Sequence, residues 1–306
     1  MKIAIIGSGA LGLYYGAMLQ RSGHEVHFLL RRDYEAITSN GLTVHSVNGD
    51  FCLPVVSGHR TPDTIGPVEL VIVGLKTFAN NHLYDLVSPL VATETQILTL
   101  QNGLGNEELL AELFGAERIL GGVAFLCSNR GESGHVHHLG GGRIIIGEYE
   151  QRDNVRLVQI VSAFSSAGIE CKATGDLKKA RWEKLVWNIP FNGLCALLQQ
   201  SVDKLLKVNG CRKLVRDLMV EVIAAANTQD LSQVIPEAYA DEMLEFSDGM
   251  GEYKPSMQID REEGRTLEIE AILRVPLGYG RQHGVDMLRT EMLAVLLEQG
   301  FAAGPF

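Results

Sequence analysis

The chain has 306 residues, of which 46% are hydrophobic and 21% charged, a composition typical of a globular protein with two domains of ordinary size. Its formal net charge of −10 argues against a nucleic-acid binder, because phosphate neutralisation needs a basic surface. No apolar run approaches the roughly 18 residues of a membrane helix, and the N-terminal apolar run is too short for a signal peptide. We therefore expect a cytoplasmic protein whose partner is a small molecule, without nucleic-acid or membrane contacts.

The five cysteines are scattered along the chain without a Cys-x-x-Cys pair. They are Cys52, Cys127, Cys171, Cys195 and Cys211. An odd number at irregular spacing suits reduced thiols better than a disulfide framework. None of them has the spacing of a metal ligand, and we expect no metal site.

The first half of the chain alternates short apolar runs with helical patterns. Strands are predicted at KIAIIG, EVHFLLR, LVIVGLK, QILTLQNG and ILGGVAFLCS, and helices at LYYGAMLQRSG and NEELLAELFG. Continuously apolar strands that alternate with helices indicate a parallel sheet covered on both faces. The sequence therefore predicts a doubly wound α/β domain at the N-terminus.

The pattern changes towards the middle of the chain. HVHHLGGGRIIIGEYE is predicted to form two short strands around a glycine turn, as an antiparallel extension of the sheet. A helix at NVRLVQIVSAFSSAG and a last strand at IECKAT follow, and beyond them DLKKARWEKLVW, CRKLVRDLMVEVIAAAN, PEAYADEMLEF and TEMLAVLLEQG have helical periodicity. We place the domain boundary near Thr174, with an α/β domain over residues 1–174 and an all-α domain over residues 175–306.

A glycine-rich segment, GSGALG, follows the first strand and opens a helix. In a dinucleotide-binding fold Gly7 would form the tight turn, Gly9 would allow close approach of a pyrophosphate, and Gly12 would allow close helix-to-strand packing. The pyrophosphate would lie at the helix N-terminus, where free amides favour an anion. The sequence therefore predicts a Rossmann-type cofactor site formed by Gly7, Ser8, Gly9, Ala10, Leu11 and Gly12.

The end of the second strand indicates which dinucleotide is bound. An NAD enzyme usually presents an acidic residue there to the ribose hydroxyls, whereas this strand ends in Arg31 and Arg32. Guanidinium groups suit the 2′-phosphate of NADP. Asp33 is the competing NAD-type acid, but it also fits a helix N-cap. We predict NADP (NADPH) as the cofactor.

Polar residues follow the ends of several predicted strands. In an open parallel sheet, ligands bind at the carboxyl ends of the strands, and these ends carry Gly7, Arg31, Lys76 and Asn102. We expect these residues to meet in one crevice. A solvated loop lysine and an ordinary turn asparagine are the alternatives for Lys76 and Asn102.

The segment RWEKLVWNIPFN contains a polar stripe among large apolar residues. Lys184, Asn188 and Asn192 are spaced by four, so they lie on one face of a helix, whose last turn Pro190 is predicted to kink. The stripe could face solvent. Asparagine is a mediocre helix former, however, and an exposed stripe would more readily be Glu, Lys or Gln. A pocket lining is the other reading.

Together these motifs resemble the ketopantoate reductase family over nearly the whole chain. The resemblance is carried, in order and spacing, by GSGALG, LK at Lys76, QNG at Asn102, WEKLVWNIPFN, PSMQID and LEIE. It implies an NADP-binding Rossmann domain joined to an all-α domain. It also implies NADPH-dependent reduction of 2-dehydropantoate (ketopantoate), a 2-keto acid, to pantoate on the route to pantothenate.

The resemblance also implies roles for individual residues. Lys184 would be the catalytic acid and Glu268 would support catalysis near it. Substrate contacts are implied for Asn102, Asn188, Asn192 and Ser256. Cofactor contacts are implied for Arg31, Lys76 and Asn102. Hydride transfer to a ketone leaves negative charge on oxygen, which an ammonium group can stabilise and protonate. Burial would lower the pKa of Lys184 and Glu268 would oppose that shift.

The chain departs from the family pattern after the glutamate motif, where the family usually carries Asn-Gly and this chain has Leu273 and Arg274. Arg274 could favour another 2-keto acid or could face solvent. A non-catalytic NADP-binding sensor is a further alternative, although it would have no chemical need for Lys184 and Glu268. A homodimer through the helical domain is also compatible with the sequence, although the core of that domain equally explains the apolar helix faces.

The histidines of HVHHLGGG suggest a metal site at first. Along a strand His135 and His137 share a face and His138 points away, and no third ligand is evident. We interpret His135 and His137 as a pair at a sheet edge.

Overall fold

The structure is a computed structural model that describes residues 1–150 and 155–302. The described residues form two compact units. The first comprises residues 1–101 and 106–177, and the second comprises residues 102–105 and the chain from Lys178 onward. Asn154, the first residue of one predicted helix, lies outside the described residues.

The first unit is built on a ten-stranded mixed sheet. Its strands are β1 (Lys2–Ile6), β2 (Glu25–Leu29), β3 (Leu42–Ser46), β4 (Phe51–Leu53), β5 (Ser57–His59), β6 (Leu70–Val73), β7 (Gln96–Thr99), β8 (Ile119–Arg130), β9 (His135–Glu148) and β10 (Cys171–Thr174). Their order is β4-β3-β9-β8-β7-β6-β1-β2-β5, and β10 pairs with β9. The run β5-β2-β1-β6-β7-β8 is parallel throughout.

That parallel run has the doubly wound order in which ligands bind where the strand order reverses, here at the carboxyl ends of β1 and β6. Helices of the first unit are α1 (Ala10–Arg21), α2 (Tyr34–Asn40), α3 (Leu83–Val87), α4 (Asn106–Phe114) and α5 (Val155–Ser166). Successive residues of β1 are buried in two different clusters, Ile3 and Ile5 in one and Ala4 and Ile6 in the other. The sheet is thus covered on both faces, and the predicted fold class is confirmed.

The segment HVHHLGGGRIIIGEYE corrects one prediction. It forms a single long strand, β9, which runs antiparallel to β8 over nearly its whole length. Gly141 and Gly142 have positive φ values of 67° and 110°, and the register with β8 shifts between Phe125 and Leu126. The glycines therefore form a bulge, and the chain turns at residues 131–134. Pairing with β8 on both sides of the bulge overrides the local turn signal.

The histidines of β9 lie in the interior of the sheet, because β9 is flanked by β8 and β3. The predicted edge location was therefore wrong. His135 and His137 do share a face, where both rings stack on His45 of β3, and His138 on the other face is 2.8 Å from the Ser46 hydroxyl. Within the described residues no group of three His, Cys, Asp or Glu could hold a metal ion.

The second unit is helical. Its elements are α6 (Leu177–Leu198), α7 (Val202–Leu206), α8 (Asn209–Ala226), α9 (Ala238–Asp248), α10 (Ser256–Glu262), a π-helical turn (Glu270–Arg274), α11 (Val275–Gln282) and α12 (Leu288–Ala302). α6 continues through Pro190 to Leu198. The turn that contains Pro190 is therefore not the last turn of the helix, which the sequence had predicted it to be. Of the helices in the described ranges, none has the length and apolar character that crossing a membrane would require.

All five cysteines are free thiols, as their spacing predicted. Burial raises the pKa of Cys195 to about 12 and that of Cys171 to about 12. These thiols are therefore protonated at neutral pH and are poor nucleophiles.

Glu221 of α8 holds the start of α12. Its carboxylate accepts hydrogen bonds from the backbone amides of Arg289 and Thr290, each at 3.0 Å, and from the Thr290 hydroxyl at 3.0 Å. We expect Glu221→Ala to lower the free energy of unfolding by about 3 kcal/mol, because these buried donors lose a charged acceptor. Chemical denaturation measures this, with the exposed Glu242→Ala as control. A loss equal to that of the control would contradict the assignment.

Candidate functional site

The segment 7–12 has the geometry that the three glycines were predicted to require. Gly7 has a φ of +102°, and a Cβ there would lie 2.3 Å from the Leu75 amide nitrogen. A Cβ on Gly12 would lie 2.3 Å from the Gly7 carbonyl oxygen, whereas one on Gly9 would meet nothing within 4 Å. Gly7 and Gly12 thus allow backbone contacts inside the protein, while the Cα of Gly9 faces open space. This cradle fits a dinucleotide.

The N-terminus of α1 is open to an anion. Its N-cap residue is Gly9, so no capping side chain occupies the first backbone amides of the helix. The Ser8 hydroxyl donates to the Leu29 carbonyl at 2.8 Å, which ties the glycine loop to the end of β2. Ala10 and Leu11 are half-buried in the first turn, and Lys76 is half-buried just after β6. Free amides and the helix dipole at this point favour a phosphate group.

The residues after β2 separate into exposed and buried charges. Arg31 and Arg32 are exposed, whereas Asp33 is only 1% exposed. Asp33 takes the N-cap position of α2, but its carboxylate makes no cap hydrogen bond. It forms an ion pair with Arg130, the last residue of β8. The acid that competed for the NAD-type role is therefore bound by another side chain, which leaves guanidinium groups at the surface.

A second group of polar residues lies in the helical unit and is centred on Lys184. The Lys184 Nζ donates to the Asn102 Oδ1 at 2.7 Å. Glu268 is buried at 5% exposure and near enough for its charge to act on Lys184. The structure therefore brings together three residues that are far apart in the sequence.

The short segment 102–105 is held by backbone contacts with the second unit's own helices. The Leu104 amide donates to the Ala271 carbonyl at 3.0 Å, and Leu104 is buried in the core of this unit. Gly103 has a φ of +85°, and a Cβ there would lie 2.3 Å from the same Ala271 oxygen. Only glycine allows this approach, which fixes the backbone next to Asn102.

Burial determines the proton affinity of Lys184. Desolvation, together with the nearby positive charge of Arg181, lowers its pKa from 10.5 to about 7, while Glu268 opposes the shift. Both of the opposing influences expected from the sequence are present, and desolvation is the largest. A lysine with this pKa exchanges its proton near neutral pH, as a general acid must.

The two asparagines of the stripe are buried, at 5% exposure for Asn188 and 2% for Asn192. The stripe therefore does not face solvent. The Asn192 Oδ1 accepts from the Ser256 hydroxyl at 3.2 Å and from the Met257 amide at 3.0 Å, which joins α6 to the start of α10. The side-chain amide of Asn188 makes no hydrogen bond to any described residue. A buried side-chain amide of this kind is suited to a polar ligand.

Comparisons with known proteins agree with this geometry. The family model described as ketopantoate reductase PanE/ApbA matches residues 3–151, and its C-terminal counterpart matches residues 176–300. A 2-dehydropantoate 2-reductase from Nostoc sp. is 43% identical over 291 residues, which cover 94% of this chain and 91% of the relative. The chain belongs to the ketopantoate reductase family.

Solved structures support the same assignment. The crystal structure of 2-dehydropantoate 2-reductase from Geobacter metallireducens is 67% identical, with a TM-score of 0.97 over 98% of this chain and 100% of that one. The corresponding enzyme from Methylococcus capsulatus is 29% identical, with a TM-score of 0.89 over 99% of both chains. Ketopantoate reductases are NADP-dependent oxidoreductases, so the predicted enzyme class and cofactor are confirmed. The alternative of a non-catalytic sensor has no support.

The two positions that depart from the family pattern have structural roles. Leu273 is fully buried in the core of the helical unit. Arg274 pairs with Glu298 of α12 through both carboxylate oxygens, and its Nε donates at 2.7 Å. The guanidinium group of Arg274, which could have favoured a different 2-keto acid as substrate, is thus bound by Glu298.

Sequence reasoning missed two charged residues, Arg181 and Arg130. Arg181 is 4% exposed and lies one helical turn before Lys184. Its spacing of three residues from Lys184 was the sequence signal, because residues three apart are neighbours on a helix surface. Arg130 contacts Asp33 across 97 residues, and no local pattern predicts that pair.

Proposed function

We propose that this chain reduces the ketone of ketopantoate to the hydroxyl of pantoate with NADPH, and that Lys184 supplies the proton. The observation that carries the proposal is a half-buried lysine with a pKa of about 7, whose Nζ lies 2.7 Å from the Asn102 Oδ1. NADPH, when bound, would supply the hydride that adds to the ketone carbon. Lys184 Nζ then gives its proton to the ketone oxygen, so that one hydride and one proton complete the alcohol.

Asn102 and Glu268 have separate tasks beside Lys184. The Asn102 oxygen accepts from Nζ and so orients the ammonium group without adding a charge. Glu268 carries a negative charge that raises the proton affinity of Lys184 and so keeps more of it protonated at neutral pH. A donor aimed at developing oxyanion charge in a buried site is worth much more than in water.

The remaining polar groups of α6 and α10 are proposed to bind substrate. The Asn188 amide is buried and makes no hydrogen bond to a described residue. The Asn192 oxygen is occupied by Ser256 and Met257, so its Nδ2 is the group we assign to substrate. The half-buried Ser256 hydroxyl is proposed to contact the carboxylate or diol end. Neutral amides can bind the oxygens of the substrate without adding a charge that would compete with that of Lys184.

In the first unit we propose that the segment 7–12 holds the pyrophosphate and that Arg31 binds the 2′-phosphate. Lys76, just after β6, is proposed to contact the nicotinamide side. Arg31 is exposed, and its guanidinium forms no hydrogen bond or ion pair with the described residues. Arginine makes bidentate contacts with phosphate oxygens, so this position suits NADPH.

Gly9→Ala is expected to weaken NADPH binding by about tenfold or more without changing thermal stability. The added methyl group enters open space within the protein but blocks the approach of the pyrophosphate. Fluorescence titration with NADPH and a thermal melt measure the two effects. Gly210→Ala on α8 is the control, because a Cβ there also meets nothing within 4 Å. Unchanged NADPH affinity in Gly9→Ala would remove the segment from the cofactor site.

The reaction is tested by following NADPH oxidation with ketopantoate, beside a panel of other 2-keto acids and with NADH in place of NADPH. We expect kcat/KM for ketopantoate of about 10⁴ M⁻¹s⁻¹ or above, with NADPH preferred. Turnover of another 2-keto acid in place of ketopantoate would overturn the substrate and leave the mechanism standing.

We also propose that the protein forms a homodimer through α12. One face of this helix is buried in its own unit, yet Leu288, Met292, Val295 and Leu296 are 67%, 53%, 43% and 45% exposed. Apolar side chains at this helical spacing form a continuous stripe. A ketopantoate reductase from Staphylococcus aureus that is 21% identical, with a TM-score of 0.82, is described as dimeric.

Met292→Glu combined with Leu296→Glu is expected to convert the dimer to a monomer, because two carboxylates would be buried in an apolar interface. Light scattering after size exclusion measures the mass. Val234→Glu is the control, since Val234 is an exposed apolar residue at 70% exposure outside α12. A dimer that survives the double change would place its interface elsewhere, and a monomeric wild type would reject the dimer.

We place the protein in the cytoplasm. Five free cysteine thiols suit a reducing compartment, and the proposed substrate is a small metabolite. This location follows from the proposed function and the thiols together.

A further inference from the structure

Asp33 occupies a sequence position close to the one at which dinucleotide enzymes that use NAD carry an acid for the ribose. That acid follows the last glycine of the motif by about 20 residues, and Asp33 follows β2 directly after Arg31 and Arg32. Here the side chain is buried at 1% exposure. A buried carboxylate is retained only when it is paired.

The partner of this carboxylate is Arg130 of β8, a strand that β7, β6 and β1 separate from β2 in the sheet order. Arg130 is the last residue of β8 and donates to the Asp33 Oδ2. The other carboxylate oxygen, Oδ1, is buried without a hydrogen bond to the described residues, and Arg32 Nε lies 3.7 Å from it. Asp33 therefore depends on Arg130 for its main interaction.

An unpaired Asp33 would act on the cofactor in two ways. Its carboxylate would accept hydrogen bonds from the ribose hydroxyls of NADH, and its charge would repel the 2′-phosphate of NADPH. The pair with Arg130 suppresses both effects, because the carboxylate is neutralised and its Oδ2 is occupied. Arg31 and Arg32 then carry the exposed charge at this strand end.

We propose that Arg130 is a positioning residue that determines the preference for NADPH over NADH by holding Asp33 away from the ribose. This inference rests on the proposed function, in which Arg31 binds the 2′-phosphate. Arg130 acts through Asp33, so its effect must disappear when Asp33 carries no charge.

The test is a fluorescence titration of NADPH and NADH against the full chain, which reads binding without turnover. Arg130→Met is expected to lower the ratio of the NADH Kd to the NADPH Kd by about tenfold or more. Asp33→Asn in the same chain is expected to restore the ratio, and Arg130→Lys, which keeps the charge, is expected to retain it. kcat at saturating NADPH should stay near the wild-type value in all three.

Arg143→Met is the matched control, because Arg143 lies on β9 of the same hairpin and stacks on Phe125. A thermal melt checks folding, and Arg130→Gln replaces Arg130→Met if the latter does not fold. An unchanged Kd ratio in Arg130→Met, or a lowered ratio that Asp33→Asn fails to restore, would overturn the inference. Absence of any NADPH preference in the wild type would instead remove the proposed function on which the inference rests.

Discussion

Replacing Lys184 by alanine is expected to lower kcat by about 10²-fold to 10⁴-fold, the range that general acid catalysis contributes. The Lys184 Nζ is proposed both to stabilise charge on the ketone oxygen and to give it a proton. Alanine can do neither, and water in the resulting space is a weaker acid. NADPH affinity should change little, because the cofactor site proposed here is carried mainly by the first unit.

Steady-state NADPH oxidation with ketopantoate measures this loss, and a fluorescence titration gives the NADPH affinity. Lys213→Ala is the control, because Lys213 lies in the same unit with its side chain 75% exposed and paired with Asp217. A Lys184→Ala variant that kept a tenth or more of the wild-type kcat would show that another group donates the proton.

Replacing Glu268 by glutamine is expected to shift the pH dependence of kcat/KM to lower pH. Lys184 must be protonated to act, and its pKa is about 7, so kcat/KM should fall as pH rises through this value. The charge of Glu268 raises that pKa. Its removal therefore lowers the pKa, moves the falling limb to lower pH, and reduces activity most on the alkaline side.

The measurement is kcat/KM from about pH 5 to about pH 9. The pH of the falling limb reports the pKa of the free enzyme's essential acid. Glu270→Gln is the control, because Glu270 is exposed and lies two residues from Glu268. A limb that stays in place in Glu268→Gln would mean that Glu268 does not tune Lys184. A shift to higher pH would contradict the sign of the interaction.

The parallel part of the fold was predictable because its signals are local. Continuous apolar runs marked β1, β2, β6, β7 and β8, and the local geometry of Gly7, Gly9 and Gly12 is the one that the motif predicts. The strands β3, β4 and β5 were not predicted, since LTVHS and SGH are rich in polar residues and glycine and FCL has only three residues. The bulge in β9 was misread as a turn because glycine with positive φ serves both.

The site was only partly predictable from the residues themselves. Spacing placed Lys184, Asn188 and Asn192 on one face, but it could not decide between solvent and pocket, because that depends on packing by distant helices. The approach of Asn102 to Lys184 spans 82 residues and depends on the fit of Gly103 against Ala271. The roles of these residues were implied by the family resemblance, whereas the burial that lowers the pKa of Lys184 is seen only in the structure.

Lys184 of α6 is proposed to donate a proton near neutral pH. NMR titration of protein labelled with ¹³C at lysine Cε measures this directly, and the Lys184 signal is assigned by its loss in Lys184→Arg. We expect this signal to titrate with a pKa of about 7. Titration near the ordinary value of 10.5 would show that Lys184 lacks the burial that suits it to acid catalysis.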